Sequence, residues 1–172
     1  MGKYTDSEGC FLVGRIRLNS STRVCDPCYD EYTGDVPNIS RVLDTEPGAY
    51  DAYVMSKHTM LGCRIACLAV VITTDDMCSK SAKEVVDSAR WKYRCSVGND
   101  SGQMGIYSRA YFSRNAKCKE WYDNVCKITL GPEAGTTNGK GIVSSSGDGD
   151  GYYAISTIER NGKVIAIKVT FL

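Results

Sequence analysis

Histidine is nearly absent, His58 being the only one in 172 residues. Any Ser-His-Asp or Cys-His arrangement would have to use it, and no Gly-x-Ser-x-Gly nucleophile elbow occurs, so hydrolysis by these routes is not expected. Flanked by Lys57 and Thr59, His58 reads as a surface residue of a hairpin. Long apolar runs are missing too. The best, Ile65 to Ile72, falls far short of the roughly 20 residues of a membrane span. The opening Met-Gly-Lys-Tyr-Thr-Asp lacks the apolar core of a secretory signal, and Asp6 sits where myristoylation wants Ser or Thr. Excess charge is lacking as well: 21 Lys plus Arg against 20 Asp plus Glu leave +1, which predicts neither duplex nucleic acid nor an anionic membrane as partner. A cytoplasmic chain is the expectation. Its length suffices for one buried core, so residues 1–172 are expected to form a single domain.

Cysteine, by contrast, is plentiful. Nine are present, an odd number that leaves one unpaired in any monomeric disulfide scheme, and without a signal peptide they read as reduced, packing thiols. Cys25-Asp-Pro-Cys28 is a lone Cys-x-x-Cys. Structural zinc needs four ligands, and Cys63 with Cys67 on one strand would stand about 13 Å apart at roughly 3.3 Å per residue. A redox role would want a helix after the first cysteine, which Pro27 does not favour. Neither a metal nor a cofactor is expected.

Alternating apolar and polar residues dominate. Gly14 to Asn19, Ser20 to Cys25, Tyr50 to Lys57, Gly62 to Thr73, Trp91 to Val97, Gln103 to Phe112 and the hairpin closing at Leu172 read as strands. In that hairpin Ile165, Ile167, Val169 and Phe171 share a face, and Asn161-Gly162 supplies a type I′ turn. Gly62 to Thr73 has few polar interruptions and is expected to be covered on both faces. Tyr29 to Glu46 and Gly131 to Gly141 read as loops. Ser79 to Arg90 is a short helical candidate; a firmer helix is expected near 113–126, capped by Ser113, with Cys118, Trp121, Tyr122, Val125 and Cys126 as its apolar stripe. The class is α+β, predominantly β: two related β units forming one antiparallel sheet system with one main helix.

The two units are an internal pseudo-repeat, 14–75 and 91–172. Shifted by 100, Tyr53 meets Tyr153, Gly62 meets Gly162, and Ile65-Ala66 meets Ile165-Ala166. Shifted by 80, Asn19 to Cys25 meets Asn99 to Gly105. The differing offsets imply an insertion of roughly 20 residues in the second unit, too few copies for a solenoid.

Several stretches suggest sites. Gly147-Asp-Gly-Asp-Gly sets two carboxylates among glycines that let a ligand approach the backbone, although the further acids of an EF-hand are missing. Gly135-Thr-Thr-Asn-Gly-Lys-Gly fails as a phosphate loop, because the first required glycine falls on Ala134 and Gly141 replaces the magnesium-binding hydroxyl; it remains a candidate binding loop. Aromatic and basic residues interleave at Trp91-Lys-Tyr-Arg94 and Arg109-Ala-Tyr-Phe-Ser-Arg114, a pattern suited to stacking on a nucleobase and holding its charge.

Together, Ser145-Ser-Gly-Asp-Gly-Asp-Gly-Tyr-Tyr, Val97-Gly-Asn-Asp-Ser-Gly-Gln-Met-Gly-Ile, Val24-Cys-Asp-Pro and Gly48-Ala-Tyr resemble, in this order, an uncharacterised bacterial and phage-borne domain, the domain-of-unknown-function family four-two-four-one. The resemblance spans roughly residues 20 to 172, departs from the pattern at Asn99, and brings no activity with it. It marks Asp100, Asp150 and Tyr153 as patterned positions. The resulting expectation is a non-catalytic binding protein that holds a small polar ligand, nucleotide-derived in its sharpest form, as in sequestration of a host defence signal. The ligand would lie in a groove where Asp100, Ser101 and Gln103 meet Ser146, Asp148, Asp150 and Tyr153, with Trp91, Arg109 and Tyr111 supplying aromatic and basic contacts. Alternatives are an immunity-type module with a protein partner on an exposed strand edge, self-association into a homo-oligomer, and a metal-assisted hydrolase using Asp100, Asp148 and Asp150.

Overall fold

Asn161 and Gly162 both take positive φ, 51° and 76°, the type I′ geometry expected of them. The described residues, 2–29 and 38–172 of a computed structural model, form in chain order β1 (Gly9–Leu18), β2 (Ser21–Cys25), β3 (Ser40–Asp44), β4 (Gly48–Thr59), β5 (Gly62–Ile72), α1 (Ala82–Val86), β6 (Lys92–Asn99), β7 (Gln103–Ser108), α2 (Arg109–Asn115), α3 (Lys119–Leu130), β8 (Ala134–Thr136), β9 (Gly141–Ser145), β10 (Gly151–Arg160) and β11 (Lys163–Thr170). With 52% strand and 17% helix, the chain is α+β and predominantly β.

Local expectations hold best where alternation is long. The strand expected over Gln103–Phe112 instead stops at Ser108, because Tyr111 and Phe112 turn under the sheet as part of α2. Ser113 therefore lies inside a helix, and α3 starts six residues later behind Cys118. On α3 the inward residues are Trp121, Val125 and Thr129, whereas Tyr122 is exposed. Two stretches expected as loops hold strands: β3, within Tyr29–Glu46, and β8, within Gly131–Gly141, which turns into β9 at Gly141; the loop expected at 30–37 lies outside the described residues.

Strands divide into two antiparallel sheets, one in the order β1-β4-β5-β11-β10-β6 and the other β3-β2-β7-β9-β8. The first order has the same form read from either edge, with β5 and β11 at its centre. There Leu68 faces Val169 and Ala69 faces Lys168, crosswise to the pairs 68 with 168 and 69 with 169 that a shift of 100 makes equivalent. At the centre of the second sheet Cys25 faces Gly105, which a shift of 80 makes equivalent. In the first half nothing among the described residues corresponds to α2, α3 and β8.

Two apolar clusters set the layers. Leu68, Val70, Met104, Ile106, Ile142, Ile155 and Ile167 belong to the large cluster shared by the sheets. A smaller cluster of Cys25, Tyr107, Tyr111, Phe112, Trp121, Val125 and Val143 joins the second sheet to α2 and α3. Strand β7 is buried along its whole length, because its alternate residues serve different clusters.

The chain enters α1 through a 3-10 turn, Asp76–Ser79, capped by Asp75. The Asp75 side chain is 7% exposed and accepts from Arg90 Nη1 at 2.7 Å and Nη2 at 3.0 Å. That guanidinium holds the carboxyl down at about 2. A depressed folded pKa contributes stability that is present above the unfolded value near 3.9 and is lost as pH falls through the folded one. Asp75→Asn is therefore expected to cost on the order of 1–2 kcal/mol at about pH 7, a figure reduced because Arg90 is partly solvated, and to cost progressively less from about pH 4 down to about pH 2. Urea midpoints of both proteins across that window check it.

Candidate functional site

The two glycine-and-acid boxes do meet. The first box is anchored by Asp26, fully buried, whose carboxylate accepts from Asp100 N at 2.9 Å, Ser101 N at 2.8 Å, Ser101 Oγ at 2.6 Å and Cys28 N at 3.0 Å. Asn99 supplies the second tie: its Oδ1 accepts from Gly102 N at 2.9 Å and Ser146 Oγ at 3.3 Å, and its Nδ2 donates to the Gln103 carbonyl. Ser146 N donates to Gly102 O at 3.0 Å, and the Tyr153 hydroxyl donates toward the Ser146 and Gly149 carbonyls. The turns touch so closely that a Cβ on Gly102 would lie 3.8 Å from the Gly149 Cα.

That closeness corrects the expected groove. Asp100, Ser101, Gln103, Ser146 and Tyr153 spend polar groups or backbone on turn bonds, and none of them borders the cleft or the recesses described below. Asp148 and Asp150 point outward and are exposed. Asp100 accepts the Tyr29 hydroxyl, a bond that raises the Tyr29 pKa to about 12. Among the described residues no group of three or more His, Cys, Asp or Glu is arranged to hold a metal.

Three predicted residues sit apart from the boxes. Trp91 precedes β6, and nine residues of extended chain, roughly 30 Å, separate it from Asp100. Its Nε1 donates to Val85 O at 2.9 Å, and Lys168 Nζ stands 5.0 Å over its ring while donating to Val86 O at 2.9 Å. The residue is a joint between α1 and β11, and burial lowers the Lys168 pKa. Arg109 opens α2 at the opposite end of β7 from Gln103, with Tyr111 one half-turn on. The thiols of Cys25 and Cys28 are pushed by burial to about 12 and about 11. At neutral pH neither is a ready thiolate, so the pair packs and does not react.

Tyr111 leads instead to a second place. Between α2, α3 and the β8–β9 turn lies a cleft of about 280 Å³, bordered by Tyr111, Trp121, Asn124, Lys127, Thr136 and Asn138. Its aromatic floor is fixed: Trp121 donates Nε1 to Pro27 O at 2.8 Å and meets Tyr111 edge-on at 5.8 Å between centroids. The opposite wall is fixed by turn chemistry. Asn138 and Gly139 take φ of 47° and 63°, Lys140 N donates to Thr137 O at 2.9 Å, and Thr137 N to Gly141 O at 2.9 Å. Arg17 N donates to Gly139 O at 2.7 Å and Ser108 N to Lys140 O at 3.0 Å, so the turn is strapped to β1 and β7. Two segments singled out in the sequence, Arg109–Arg114 and Gly135–Gly141, thus face each other here.

Sequence reasoning did not name Asn124 or Lys127, whereas Thr136 and Asn138 lay inside the candidate binding loop Gly135–Gly141. Asn138-Gly139 carries the same turn signal as Asn161-Gly162, and reading it as a hairpin would have placed the wall. Arg17, whose backbone straps that turn, is one the alternation of Gly14-Arg-Ile-Arg-Leu does predict to point outward, since Ile16 and Leu18 are buried.

Fold and site together define a two-sheet, predominantly β α+β protein with a helix-covered outer face and a polar, aromatic-floored cleft. No known protein family, curated protein or solved structure matches the chain. Among the described residues no helix is long and apolar enough to cross a membrane.

Proposed function

We propose that the protein is a non-catalytic binding protein that holds a small polar ligand in the cleft between α2, α3 and the β8–β9 turn. The observation carrying this reading is the composition of that cleft: two amides (Asn124 and Asn138), a hydroxyl (Thr136) and a cation (Lys127) stand around buried Tyr111 and Trp121. Amides and hydroxyls read a polar ring, an aromatic floor packs its apolar part, and the volume lies near the roughly 300 Å³ lower bound of small-molecule sites. Resemblance of the sequence boxes to a phage-borne domain supports a sequestering role toward a host signal.

Thermal unfolding against nucleosides, cyclic dinucleotides and ADP-ribose derivatives tests the reading. A binder at 100 times its Kd adds about 2.7 kcal/mol and raises Tm by several degrees. Asn124→Ala with Lys127→Ala, both exposed positions, should remove most of that rise. A panel that leaves Tm unmoved overturns the proposal. Copurification of a stoichiometric protein would instead favour an interaction module, for which β6, an edge strand with Tyr93 69% exposed, is the surface.

A further inference from the structure

Beside the cleft, and sharing Tyr111 with it, is a recess of about 40 Å³ bordered by Arg17, Asn19, Ser108, Arg114 and Lys140. The three cations come from three separate elements: β1, α2 and the β8–β9 turn. Among the described residues no carboxylate borders the recess. Arg15, Lys83, Arg90, Arg94, Arg160 and Lys163 each face an acid within ion-pair distance. Arg17, Arg114 and Lys140 make no ion pair among the described residues. Arg114 spends Nε on Ala110 O at 3.1 Å, which orients its two terminal nitrogens. Backbone bonds from Arg17 N to Gly139 O and from Ser108 N to Lys140 O bind the three elements at this point.

Three like charges held together repel unless an anion joins them, and arginine forks match phosphate oxygens better than any other side chain does. The recess is far smaller than the adjoining cleft of about 280 Å³, so it suits a compact group and the cleft suits a ring. We propose that Arg17, Arg114 and Lys140 form an anion subsite for the phosphoryl group of a ligand whose ring lies in the adjoining cleft. The ligand class is then a phosphate monoester of a ring-bearing polar molecule, a nucleoside monophosphate being the simplest probe. The ring half of this assignment rests on the binding reading above; the phosphoryl half stands on the recess alone.

Titration calorimetry in chloride buffer free of phosphate and sulfate separates the two. Adenosine, adenosine 5′-monophosphate and inorganic phosphate are measured against the wild-type chain and an Arg114→Gln, Lys140→Gln double variant. Both side chains are exposed, and an unchanged unfolding midpoint verifies the fold. The monophosphate is expected to bind about tenfold or more tighter than adenosine, with the advantage lost in the variant while adenosine binding is kept. Equal affinity for adenosine and its monophosphate, unchanged in the variant, overturns the subsite and leaves the cleft. Inorganic phosphate binding that the variant abolishes, with no adenosine binding, upholds the subsite and removes the ring site. Absence of binding by all three overturns both.

Discussion

Gly141→Ala is expected to lower the unfolding free energy by about 3 kcal/mol, at the upper end of overpacking costs. Gly141 is the direct cross-strand partner of Tyr107, whose ring lies back over the sheet. A Cβ at 141 would stand 2.1 Å from Tyr107 Cδ1, 2.8 Å from Cε1 and 2.9 Å from Thr137 Oγ1. The ring cannot retreat, because it is fully buried and packed against Phe112 at 5.4 Å and Trp121 at 5.2 Å between centroids. Glycine is thus required here by a neighbour's volume. Tyr107→Leu made alone should destabilise through lost packing, and combined with Gly141→Ala it should cost less than the sum of the two. A double-mutant cycle of urea midpoints reads this, and strict additivity would mean that the ring is not the obstacle.

Asp26→Ala should cost about 3 kcal/mol or more. It strands three backbone N–H groups, of Cys28, Asp100 and Ser101, together with the Ser101 hydroxyl. Hydrogen bonds to a charged acceptor contribute about 1.5–3 kcal/mol each, though not additively. Asp26→Asn is the sharper test, since it keeps the shape and one acceptor oxygen while turning an NH₂ toward two donors. It should recover less than half of the loss. Stability of Asp26→Asn close to wild type would mean that shape, and not the carboxylate, ties Cys28 to the Asp100 turn.

What the sequence could and could not disclose follows from the range of each interaction. Alternation in β4, β5, β10 and β11 runs for eight residues or more, long enough to announce itself. Strands β3 and β8, of five and three residues, are too short to do so. The start of α2 was hidden because Tyr107-Ser-Arg-Ala-Tyr continues a strand-like pattern, and Ser108 offers no side-chain cap bond. Both boxes were visible as motifs, and their meeting was expected. That they close on each other was not legible, because Asn99 acts on Ser146, 47 positions away; in the same way Asp26, which reads locally as the acid before a proline, acts on partners 74 and 75 positions away. The cleft was legible in halves: Tyr111 and the 135–141 segment each stood out, and only β7 and β9 pairing brings them together.

The pairing of β5 with β11 bears on how the chain is made. Leu68 and Val169 lie about 100 positions apart and adjoin at the middle of the larger sheet. A ribosome must release residues through about 170 before that seam can close. Until then β4 and β5 form a hairpin whose Leu68, Val70 and Ile72 lack their cover, so folding is expected to be slow, in the millisecond-to-second range of non-local β topologies, and to leave a sticky nascent half for chaperones to shield.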